Sequence, residues 1–196
     1  MGKIRYLFSL LILTSFSLDA SAIEAGDILL QPLKCWSCSL IEQQENSEFS
    51  HVGIYLGQDQ VAEAYFDKVK IVSLAEFMKK TDPARFVLVR RLVVQPDEFE
   101  RKLRLEVDKL LGLTYDRWFL WNNDKIYCSE LVYKVLAPIV ELRDLSPKEM
   151  LFDVNPEHWD RYFRDQTPRG QLGISPEDFN LSSDFISVEK LEHVRY

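Results

Sequence analysis

Ser50-His51-Val52-Gly53-Ile54-Tyr55-Leu56-Gly57, followed three residues later by Val61-Ala62-Glu63-Ala64-Tyr65-Phe66, is the stretch that decides this fold. Both segments are β-branched or aromatic at alternate positions and are separated by Gln58-Asp59-Gln60, so they read as two strands of a hairpin. Val52, Ile54 and Leu56 supply a core face, which leaves His51, Gly53 and Tyr55 on the other. Glu63 is a carboxylate among apolar neighbours. If the chain turns about Gly57, His51 and Glu63 stand directly opposite on one face, with Cβ atoms about 4.5–5.5 Å apart. A slip of one residue would send them to opposite faces.

Working outward, Gly26-Asp27-Ile28-Leu29-Leu30 opens the domain as a strand, and residues 37–45 read as a short helix. Residues 69–72 make a third strand after the hairpin. Ser73 then caps a helix over 74–79, with Glu76 as its capping-box partner. Residues 85–92 alternate as another strand. Pro96 starts a long helix to about Leu111, whose apolar positions recur at three- and four-residue steps, and Gly112 stops it. A polar, aromatic-rich segment over 115–124 leads to a helix opening at Cys128, with Pro138 near its end. Ser146-Pro147-Lys148-Glu149 reads as another helix start. Beyond Asn155 the pattern weakens into turns, of which Ser175-Pro176-Glu177-Asp178 is the clearest. Strands grouped together with helices at either end predict an α+β domain.

Lys3 and Arg5, an apolar run over 6–16 and Ala20-Ser21-Ala22 form a secretion-signal pattern, so residues 1–22 are expected to be cleaved and residues 23–196 to form one domain. The run is shorter than the roughly 20 residues a membrane span needs. The formal net charge is −7, and losing Lys3, Arg5 and Asp19 leaves about −8. Such a surface repels nucleic acid and offers anionic lipid no polybasic patch. The expectation is a soluble, exported protein.

The chain has three cysteines. Cys128 stands alone, and in an oxidising compartment an unpaired thiol is a liability unless it is used. Its place at a helix N-terminus favours the thiolate, because free backbone N–H groups point at the sulfur. Cys128 is therefore a candidate nucleophile, His51 its general base and then acid, and Glu63 the group that fixes the histidine tautomer. The Cys128 backbone N–H is a candidate oxyanion donor, with the phenol of Tyr115 or Tyr127 as a second. Acyl transfer at an amide, ester or thioester is the chemistry such a set supports. His158 and His193 read as surface or cap residues. Asn122, Asn123 and Asp124 read as a solvated turn without metal-ligand spacing, and no cofactor is expected. For Cys35-Trp36-Ser37-Cys38, a local disulfide, two free thiols and a thioredoxin-like redox pair stay open.

The order His–Glu–Cys, with SHVGIYLG (50–57), VAEA (61–64), LTYD (113–116) and YCSELVYK (127–134), resembles the permuted NlpC-type papain-like cysteine peptidases and amidases. More narrowly it resembles their YiiX/YaeF/YebB-like branch, related to lecithin:retinol acyltransferase. The resemblance covers residues 24–136 and, more weakly, the segment around 174–179. It implies a circularly permuted papain-like fold, an antiparallel sheet or small barrel packed on helices. It places the nucleophile on Cys128, the base on His51 and the third polar group on Glu63, with Tyr115 lining the acyl pocket. It implies hydrolysis or transfer at an amide or ester bond of a peptide-, amino-acid- or lipid-containing substrate. A non-catalytic module binding lipid or acyl ligands on the same fold is the competing expectation, and a CxxC thiol–disulfide protein a third.

Overall fold

A computed structural model describes residues 23–192. The expected signal segment, residues 1–22, and His193 lie outside the described residues. The chain opens with β1 (Ile28–Gln31), α1 (Trp36–Glu45), β2 (His51–Gly57), β3 (Gln60–Tyr65), β4 (Lys68–Ser73) and α2 (Leu74–Met78). It continues through β5 (Phe86–Leu92), α3 (Phe99–Leu110), α4 (Cys128–Leu136), β6 (Lys148–Glu149), α5 (Pro156–Tyr162), β7 (Leu172–Gly173), α6 (Pro176–Leu181) and β8 (Phe185–Glu192). Six strands form one antiparallel sheet in the order β4-β3-β2-β1-β5-β8, and β6 and β7 form a separate pair.

The sheet is open, with β4 and β8 at its edges, rather than closed as a barrel. The β4 edge is covered by the loop after α3: Val69 N–H donates to Leu113 O at 2.9 Å and Tyr115 N–H to Asp67 O at 2.8 Å. This satisfies strand groups that would otherwise template another chain. It also delivers Tyr115 to the site.

Both faces of the central strands are buried. Ile28, Leu30, Val52, Ile54, Leu56, Ala62 and Ala64 pack with α3 and α4 in the main core. Leu29, Tyr55, Val61, Val87 and Val89 pack with Phe77 of α2 on the other side. That is why β1 reads as a continuous apolar run rather than an alternating one.

The hairpin turn sits one step further along than the sequence spacing suggests. Gln58 and Asp59 both take positive φ, 53° and 61°, as a two-residue hairpin of matching twist requires. Gly57 pairs with Gln60, and a bulge follows before Tyr55 pairs with Val61 and Ile54 with Ala62. Carried onward, that register sets Gly53 across from Glu63 and His51 across from Tyr65. The expected direct opposition of His51 and Glu63 is therefore off by two residues. A shift of two keeps both side chains on one face, so they meet along the diagonal.

Other expectations also change. The long helix starts at Phe99 rather than Pro96, because Glu98 adopts a left-handed conformation (φ 56°) that breaks the helix there. Ser146-Pro147-Lys148-Glu149 opens no helix: Lys148 pairs with Gly173 and Glu149 with Leu172 as strands. A side chain on Gly173 would strike Met150, whose sulfur lies 2.3 Å from the position of a Cβ. Residues 156–192 carry α5, β7, α6 and β8 between their turns. Ser175-Pro176-Glu177-Asp178 is the capped first turn of α6, with Ser175 and Asp178 forming a capping box, and β8 completes the sheet beside β5.

Candidate active site

His51 heads β2, and the first turn of α4 packs against that strand. Its ring lies against Phe77 (centroids 5.7 Å, stacked) and edge-on to Tyr65 (5.4 Å). Gly53 makes room for this packing, since a Cβ there would come within 2.7 Å of Phe77 and 2.9 Å of Val61. His51 Nε2 is 3.0 Å from Glu63 Oε2, which leaves Nδ1 to face the thiol. Both side chains are buried.

The electrostatics follow from these contacts. Burial alone would lower the His51 pKa, but hydrogen bonds to Cys128 and Glu63 outweigh it and raise it. Burial alone would raise the Cys128 thiol, but the His51 hydrogen bond and charge lower it, helped by backbone bonds from Val52 and Ser129. Burial would also raise Glu63, yet His51 and Lys80 hold that carboxyl down at about 2.

The cysteine helix is fixed from both ends of its first turn. Ser129 Oγ donates to Ile174 O at 2.7 Å, and Ile174 N–H donates to the Tyr127 hydroxyl at 3.0 Å. Before it, Asp116 is buried and accepts from Trp118 N–H, Leu120 N–H and Asn123 Nδ2, each at 2.9 Å. Asn122, Asn123 and Asp124 are exposed, as expected of a solvated turn, and Asn123 ties that turn to the Asp116 carboxylate.

Cys128 opens onto a cleft of about 340 Å³. One wall comes from α1 (Ile41, Gln44, Glu45), and another from residues 148–152 and 173–176. Tyr115, Phe119 and Tyr127 line it beside the thiol. The Tyr127 oxygen accepts from Ile174 N–H, which fixes that ring, and the Tyr115 pKa is raised by burial and by the Cys128 charge.

The structure therefore brings Cys128, His51, Glu63, Tyr115 and Tyr127 together. Cys35 and Cys38 are elsewhere: they are joined as a disulfide at the N-terminus of α1, outside the cleft lining. The strand before them, β1, runs antiparallel to both neighbours, which removes the parallel βαβ frame of a thioredoxin-like site. His158 packs edge-on against Trp36 at 6.4 Å and does not line the cleft onto which Cys128 opens. Sequence reasoning did not find Lys80, whose ammonium bonds both oxygens of Glu63, nor the cleft wall from residues 148–176. No local pattern marks either, because both depend on long-range packing.

A family described as permuted papain-like amidase enzymes, YaeF/YiiX, C92 family, matches residues 22–184. The chain belongs to that family. Cysteine-hydrolase-type function follows at this level for this permuted papain-like amidase homologue. It is similar to the uncharacterized protein YiiX of Escherichia coli K12, 28% identical over 140 residues, covering 70% of this chain and 69% of YiiX. The crystal structure of a protein described as metalloprotein yiiX, from Escherichia coli O157:H7, shares the fold. Its TM-score is 0.77 at 23% identity, over 87% of this chain and 98% of that one.

The residues of the permuted papain-like site in this chain do not fit a metal ion. Glu63 has both oxygens on the Lys80 ammonium and one on His51. Among the described residues, no group of three or more His, Cys, Asp or Glu is gathered as ligands.

Proposed function

We propose that this protein is an exported cysteine hydrolase that cleaves an amide or ester bond in a peptide-, amino-acid- or lipid-containing substrate through an acyl-cysteine intermediate. The observation that carries the reading is the buried His51–Glu63 pair set beside Cys128, whose thiol lines a cleft. The Cys128 proton passes to His51 Nδ1, and the thiolate attacks the carbonyl carbon. The oxyanion that forms is met by the Cys128 backbone N–H and the Tyr115 hydroxyl. His51 then returns its proton to the leaving amine or alcohol, and a thioester remains on Cys128. Water, deprotonated by the same imidazole, releases the acid. Glu63 holds the ring so that Nδ1 faces sulfur throughout. Export is supported by the apolar, Ala20-Ser21-Ala22-terminated leader and by a disulfide near the start of the domain.

Turnover of an acyl-amide and acyl-ester panel by the full chain tests the reading, with mass spectrometry of the acylated protein after acid quench. The expected outcome is an adduct on Cys128 and a loss of at least about 10³-fold in rate for Cys128→Ala. Turnover that survives this substitution would end it.

A further inference from the structure

The Glu63 carboxylate serves two cations, and only one of them belongs to the proton path. Lys80 lies just past the end of α2, and its ammonium bonds both carboxylate oxygens while His51 Nε2 bonds one. The two rings that pack on His51 also carry this lysine, its Nζ 4.6 Å from the Tyr65 centroid and 4.9 Å from that of Phe77. Glu63 is wholly buried beneath them. The segment carrying Lys80 is pinned to the strand beside His51. Gln31, the partner of His51 in the β1–β2 ladder, donates its amide to Phe77 O and to Thr81 Oγ1, both at 2.7 Å. A lysine held by its own backbone anchor, over two aromatic faces and on a buried carboxylate, is not a solvent-facing ion pair.

A buried carboxylate paired only with an imidazole would favour the imidazolium strongly. Such a histidine takes the thiol proton readily but returns it poorly, and returning it to the leaving group is half of its task. We propose that Lys80 is the charge-setting positioning residue of this site, sharing Glu63 with His51 so that the imidazolium gives up its proton within the working range. This rests on the reading of Cys128 and His51 as nucleophile and base. No atom of Lys80 touches the reacting bond: the proton runs from Cys128 Sγ to His51 Nδ1 to the leaving group, and Lys80 stays charged.

The other charged groups facing this cluster are few. Lys70 of β4 pairs across from Glu63 in the sheet, but its ammonium is 3.8 Å from Asp67 and 5.4 Å from the Tyr65 centroid. Glu76 of α2 is bound to its own cap, Ser73. Cys128 arrives from α4. Lys70 is therefore the control for a lysine that is merely nearby.

The experiment is an NMR titration of the His51 ring in the full chain carrying ¹³C-histidine, the signal being assigned by its loss in His51→Gln. Lys80→Met keeps the aliphatic stem over Tyr65 and Phe77 and removes the charge. Loss of a neighbouring cation favours the protonated ring, so the His51 midpoint should rise by about one pH unit. Lys80→Arg should restore it to within about 0.3 unit, and Lys70→Met should move it by no more than about 0.3 unit. An unmoved midpoint in folded Lys80→Met, or equal shifts from the two lysines, overturns the proposal. Lys80→Gln gives the same reading should the methionine variant not fold. Cys128→Ala separates the two ideas: it should lower the His51 midpoint, and its failure to do so counts against the nucleophile–base pairing alone.

Discussion

At the level of single residues, the depressed carboxyl of Glu63 makes a statement about acid stability. Its ordinary value is 4.5 and its folded value about 2, so its contribution is fully present above pH 4.5 and is lost as pH falls through 2. His51 has the opposite sign. Its raised pKa adds stability that is complete below its ordinary 6.5 and is lost as pH rises through the folded value. Glu63→Gln should therefore cost about 3 kcal/mol at pH 6, since it strands a largely buried ammonium. Urea unfolding of both proteins checks this, and the gap should narrow as pH falls through about 2, as the native carboxyl becomes protonated. A pH-independent gap would show that Glu63 acts through packing and not through charge. The partnership of His51 and Glu63 was legible beforehand because two strands of alternating residues restrict which side chains share a face. Lys80 was not. A lysine after a short helix ordinarily points to solvent, and only the Gln31 anchor and the Tyr65 and Phe77 rings make this one different.

Among the elements, those up to residue 136 were readable because each carries its own period and punctuation, such as Ser73 with Glu76 around α2 and Gly112 after α3. The errors before it are shifts of two or three residues in a turn or a helix start, and the larger ones fall where pairing with a distant segment decides. Residues 146–149 have helix-start chemistry, but β7 takes their backbone bonds instead. The polar β8, largely exposed, is a strand because β5 offers it an edge. Gly53 shows how one element disciplines the next. Gly53→Ala would push Phe77 off His51 or bend β2, at a cost of about 1–3 kcal/mol. The expected result is a lower melting temperature together with slower alkylation of Cys128 by iodoacetamide. An alanine variant that labels at the native rate would show that the ring stack does not hold the base in place.

For the whole molecule, the disulfide and the cleft are separable. Cys35–Cys38 closes a very short loop at the far end of α1 from Glu45, so replacing both with serine should cost roughly 2 kcal/mol through unfolded-state entropy. Thermal unfolding reads that loss, and the rate of Cys128 alkylation should stay within about twofold. A collapse of labelling would mean that α1 needs the bridge to form its wall. The cleft itself draws on both ends of the chain: α1 near the beginning, α4 in the middle and residues 148–176 near the end. With the cysteine helix following the histidine strand, a ribosome delivers the base well before the sulfur and the last wall later still. A nascent chain therefore has no assembled place to hold an acyl group, and the order of the sequence leaves the cleft unformed until its last wall has been synthesised.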